Sequence, residues 1–107
     1  SNNKINSIKY TIYVKEDISF SGLKRMVYRI ELEVDIVPKE SELKNSAIEM
    51  WKNGNKHWDD FTIFYYLPDM DKKGSAFTIA EFTPNGLNSF TFGRSRNCNT
   101  KRLRKKI

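Results

Sequence analysis

The chain has 107 residues, 38% of them hydrophobic and 13% aromatic, which is enough apolar material for one modest core and too little length for two domains. No apolar run approaches the roughly 20 residues of a membrane-spanning helix, and one Cys with one His excludes both a disulfide framework and a Cys/His zinc site. The net charge of +6 is uneven: residues 1–93 hold twelve Lys and Arg against all thirteen acids, whereas residues 94–107 hold seven cations and no acid. The sequence therefore divides into a nearly neutral domain, residues 1–93, and a basic C-terminal tail, residues 94–107, of the kind that serves as an interaction segment outside a fold.

The polar opening, Ser1-Asn2-Asn3, is set aside from fold reasoning. From Ile8 the chain alternates, with Ile8, Tyr10, Ile12 and Val14 on one face and Lys9, Thr11, Tyr13 and Lys15 on the other, which is the period of a half-buried strand. Residues 17–22, rich in Ser and Gly, read as a hairpin loop. A second alternation follows, with Met26, Tyr28, Ile30, Leu32 and Val34 opposed to Arg25, Val27, Arg29, Glu31 and Glu33. The outer charges Lys9 and Lys15 are expected to pair across the hairpin with Glu31 and Glu33.

Pro38 ends the extended region and suits the approach to a helix. Leu43, Ala47, Met50 and Trp51 then fall at i, i+4, i+7 and i+8, one apolar stripe, with early acids and late lysines arranged for the helix dipole. The helix is expected over residues 39–53, stopped by Asn53-Gly54. Residues 61–67, Phe-Thr-Ile-Phe-Tyr-Tyr-Leu, carry no charge and large groups on both faces, the composition of a central strand. Asp59, Asp60 and Asp69 flank this segment as gatekeepers. A turn-rich connection over residues 68–74 leads to a further strand over residues 76–83, expected to make a second hairpin with the preceding one. Pro84-Asn85-Gly86 is a turn signal, and residues 89–92 supply a short last strand. The order β-β-α-β-β-(β) predicts an α+β domain, a mainly antiparallel sheet of four or five strands with one amphipathic helix packed on a face.

Three segments resemble a family of small bacterial domains of unknown function found on lipoproteins and other exported proteins: residues 24–30 (Lys-Arg-Met-Val-Tyr-Arg-Ile), residues 61–66 (Phe-Thr-Ile-Phe-Tyr-Tyr) after the helix, and residues 80–86 (Ala-Glu-Phe-Thr-Pro-Asn-Gly). The resemblance spans about residues 8–90 and implies an α+β domain, a bacterial or phage source and an extracytoplasmic address. It carries no catalytic signature and does not extend to the cationic tail.

Several constellations are candidates for chemistry. Asp69-Met70-Asp71-Lys72-Lys73-Gly74 begins like a calcium loop but places Lys73 at the fifth position and Ala80 at the twelfth, where oxygen ligands belong. His57, Asp59 and Asp60 combine an imidazole with two carboxylates, and Glu81 stands in an apolar strand, so a small hydrolase or metalloenzyme could centre on His57, Asp59, Asp60 and Glu81. A solvated loop, and a cross-strand Lys or Arg beside Glu81, are the simpler accounts. Ser19, Ser21 and Ser75 have no nucleophile-elbow context. Cys98 lies among tail cations that favour its thiolate. Trp51 belongs to the core stripe, whereas Trp58, in a loop beside Lys56, is a candidate stacking platform.

The reading that ranks first is a non-enzymatic binding or protein-interaction domain, using a sheet face or edge to meet a protein partner or a second copy of itself. The alternative is a nucleic-acid-associated protein whose tail tracks phosphates through Arg94, Arg96, Lys101, Arg102, Arg104, Lys105 and Lys106, with Trp58 as an accessory contact. The enzyme ranks third, because its constellation is incomplete. No cofactor is called for by any motif.

Overall fold

In a computed structural model the described residues are 8–93, and they form one five-stranded mixed sheet with a single helix packed on it. The strands are β1 (Tyr10–Asp17), β2 (Arg25–Leu32), β3 (Asp60–Tyr66), β4 (Thr78–Thr83) and β5 (Gly86–Phe92), and the helix α1 (Glu40–Lys52) joins β2 to β3. They lie side by side in chain order. Three pairings are antiparallel and one, β2 with β3, is parallel. The parallel pair follows from α1 itself: a helical crossover returns the chain to the same end of the sheet, which a tight turn cannot do.

The uncharged segment forms the central strand, as its composition requires. Phe61, Ile63 and Tyr65 are fully buried on the helix side, against the stripe of Leu43, Ala47, Met50 and Trp51. Trp51 stacks on Phe82 at 5.5 Å, Tyr65 Oη donates to Ser46 Oγ at 3.0 Å, and Lys44 Nζ lies 5.3 Å from the Phe90 ring centroid. These contacts place α1 over the β3 to β5 side of the sheet.

The helix starts where sequence places it, though its cap is half a capping box. Glu42 Oε1 accepts the Lys39 backbone N–H at 2.8 Å, but a lysine side chain has no acceptor to return the bond. At the other end Gly54 has φ +96°, and buried Asn55 closes the helix by donating Nδ2–H to the Met50 carbonyl at 2.8 Å. The β1 to β2 connection narrows to a two-residue turn, Ser21-Gly22, with φ of 49° and 82°, bridged by reciprocal backbone bonds between Phe20 and Leu23.

Four expectations are corrected. An extra residue in β1, between Ile12 and Val14, inverts the alternation: Val14 pairs with Arg29 on the face away from the helix, and Lys15 pairs with Tyr28 on the helix face, its Nζ 5.3 Å from that ring centroid. Lys15 therefore lies opposite Tyr28 and not an acid, whereas Lys9, before the bulge, stands opposite Glu33, whose N–H donates to the Lys9 carbonyl at 2.9 Å, with no ion pair between their side chains. Glu31 instead pairs with Lys72 at 3.1 Å, and Glu33 accepts a hydrogen bond from Thr11. In the last hairpin the turn is only Pro84-Asn85, Gly86 with its φ of 123° already belongs to the strand, and β5 begins three residues earlier than expected. Finally β4 begins at Thr78, while Ala76 and Phe77 are buried in the connection before it.

Candidate interaction face

The cationic tail residues Arg94, Arg96, Lys101, Arg102, Arg104, Lys105 and Lys106, and Cys98 with them, lie outside the described residues. The remaining candidates each serve the local fold. Trp58 is half-buried and donates Nε1–H to Asn55 Oδ1 at 3.0 Å, with the exposed His57 ring 4.5 Å from its own. Asp59 Oδ2 accepts the Lys24 backbone N–H at 2.8 Å. Asp60 accepts from Thr62 Oγ1 at 3.0 Å and faces Arg25 Nε at 3.6 Å, an ion pair too long for a hydrogen bond. Glu81 sits on the opposite face from α1, paired with Thr62 on β3 and Ser89 on β5. Its partner is the Ser89 hydroxyl, donating at 3.0 Å, in place of the expected Lys or Arg. His57 and Asp59 thus lie in a loop, Asp60 at the start of β3 and Glu81 on the adjacent strand β4, opposite Thr62, and the four do not converge. In the calcium-like loop Asp71 accepts the Lys73 N–H at 2.9 Å, Met70 is buried and Lys72 turns to Glu31. Among the described residues no group of three or more His, Cys, Asp or Glu side chains is placed to hold a metal ion, and no helix is long and apolar enough to cross a membrane.

Two ionisable groups are displaced from their ordinary behaviour. Burial pushes the Tyr65 phenol well above its usual range despite the bond to Ser46. The Ser19 hydroxyl and backbone N–H hold the exposed Asp17 carboxyl below its usual range. Both effects arise from the fold around a single residue. A broad groove of about 510 Å³ runs beside the β2 to α1 connection, lined by Lys9, Glu33, Asp35, Ile36, Lys39 and Glu42 among others, with two of its three acids engaged by Thr11 and the Lys39 N–H.

What stands out is the sheet's second face. No helix covers it among the described residues. The pairing register lays out two rows on it: Glu16, Val27, Thr62, Glu81 and Ser89, then Val14, Arg29, Phe64, Ile79 and Thr91. The connection after β3 folds over one end only, where Tyr66 is buried and donates to the Gly74 carbonyl at 3.5 Å. In the middle, Val14, Arg29, Phe64 and Ile79 are half-buried. The Arg29 guanidinium lies 4.9 Å from the Phe64 ring centroid and donates to Tyr66 Oη at 2.7 Å. A solvated antiparallel face usually alternates to polar residues, and four apolar side chains in two rows depart from that pattern.

Sequence reasoning named a sheet face or edge as the meeting surface but neither this face nor its residues. The face's visible signals were Val27, apolar on the outer side of its strand, and the second apolar face of residues 61–67, to which Phe64 belongs; Val14 was hidden by the bulge. No protein-family model, curated protein or solved structure matches this chain.

Proposed function

We propose that the chain is a non-enzymatic protein-interaction domain that meets its partner through the sheet face opposite α1. The observation that carries this is the row Val14, Arg29, Phe64 and Ile79, half-buried, apolar but for one guanidinium, and uncovered among the described residues. An aromatic ring with an arginine stacked on it is the composition favoured at the centre of protein interfaces. The exported setting implied by the family resemblance is compatible with such a role and is part of the same proposal. A photoreactive amino acid at Ile79, compared with one at the exposed helix position Glu49, tests it in the native host. Protein adducts formed from position 79 and not from position 49 support the reading, and no adduct from either overturns it.

The uneven charge favours a second reading, in which the tail binds polyanions. With about five phosphate contacts, affinity for duplex DNA falls with salt at a log-log slope of about −4 to −5. Equal binding by the full chain and by residues 1–93 removes the tail from any such role.

A further inference from the structure

We infer that the partner on this face is a second copy of the chain, the two sheets stacking face to face about a two-fold axis parallel to β3. This rests on the interaction reading above. The charges on the face select the occupant. Two pairs are internally matched, Arg25 with Asp60 and Lys72 with Glu31. Of the rest, Glu16 is exposed at the β1 edge of the face, and the inner charges are Arg29 and Glu81, whose polar contacts are the neutral hydroxyls of Tyr66 and Ser89. They stand on β2 and β4, on either side of the central strand and one row apart.

A two-fold along β3 lays β2 of one copy over β4 of the other and keeps the rows in step. Arg29 of each copy then faces the partner's β4 within one row of Glu81, a separation along the strand of about 7 Å, within the reach of an arginine side chain. The contact occurs twice by symmetry, as an isologous interface requires. A two-fold across the strands instead sets β2 over β2 and brings the two Arg29 residues to the same side, like charges together. The axis along β3 also sets Phe64 against its own copy and Val14 near Thr91. The arrangement is the aligned sheet sandwich, about 10 Å between layers, with each α1 on the outside.

Five strands by about five residues make a footprint of roughly 24 by 17 Å per copy, at the low end for specific interfaces, so the dimer is expected with a micromolar dissociation constant. Sedimentation of the full chain from about 5 µM to about 500 µM should show the mass rising from one copy to two. Arg29→Glu and Glu81→Arg should each weaken association at least tenfold, and the combined exchange should restore it to within about threefold of wild type, because the swapped charges face each other again. Circular dichroism of each variant reports its folding. Should Arg29→Glu fail to fold for want of its contacts with Phe64 and Tyr66, Ile79→Lys and Glu81→Arg carry the test. A single-copy mass at the highest concentration overturns the inference, as does a dimer indifferent to Glu81→Arg and Ile79→Lys, or a folded double exchange that stays monomeric. A monomer that still gives adducts with another protein from position 79 overturns self-association alone and leaves the interaction reading intact.

Discussion

Tyr65 shows how far one residue's chemistry depends on its place. It is fully buried beneath α1, bonded to Ser46, with its phenol pushed above the usual range by burial. A raised folded-state pKa contributes stability that is complete below the unfolded value of about 10 and lost as pH rises above it, because only the unfolded chain then releases the proton. Urea unfolding of wild type between pH 8 and 11 should therefore show stability declining from about pH 10, and Tyr65→Phe should flatten that decline while losing the Ser46 bond, worth about 1 kcal/mol. Its neighbours Ile63 and Phe64 separate the two faces. Ile63 is fully buried against α1, whereas Phe64 is half-buried beneath Arg29. Ile63→Asp buries an unpaired carboxylate at a cost of several kcal/mol against a total of about 5 to 15, and should abolish the cooperative thermal transition. Phe64→Asp sits beside a guanidinium on an uncovered face and should retain that transition at a lower midpoint.

Among the elements, the helix terminus depends on Asn55 more than on any residue of α1 itself. Its side chain donates to the Met50 carbonyl, approaches Tyr28 Oη at 3.4 Å and accepts from Trp58 Nε1, so one amide joins the helix end, β2 and the loop before β3. Asn55→Ala leaves a helix carbonyl and an indole N–H without partners. Unfolding free energy should drop by about 2 kcal/mol, with a shift in tryptophan emission as Trp58 is released. Unchanged stability and emission would show that water replaces the amide at no cost. The helix was legible in sequence because its stripe and its glycine stop are properties of residues a few positions apart. The role of Asn55 was not, since an asparagine after a glycine reads equally well as a solvated turn.

For the whole molecule, the core cluster among the described residues runs from Tyr28 to Phe82, with partly buried residues around it from Ile8 to Phe92. A chain ending at Gly93 should therefore fold with an unfolding free energy within about 0.5 kcal/mol of the full chain. A larger loss in chemical denaturation would show that residues 94–107 take part in the folded body. The two-layer design also explains the uncovered face. One helix of thirteen residues is about 20 Å long and covers one side of part of a five-stranded sheet, and the connection after β3 shields only the Tyr66 end of the other.

The amino-acid sequence alone determined the α+β class, the position of α1, the centrality of residues 61–67 and the confinement of excess charge to the tail. All of these depend on composition or on periodicity within a few residues. The tertiary structure decided whatever depends on register between strands. One extra residue in β1 moved Val14 to the face away from α1 and Lys15 to the helix face, because side chains alternate with a period of two and a single insertion inverts the pattern beyond it. The partner of Glu81, the parallel pairing of β2 with β3 and the row Val14, Arg29, Phe64, Ile79 are likewise cross-strand facts. That row joins residues 14 and 79, far apart in the chain, which only the folded sheet makes neighbours on one face.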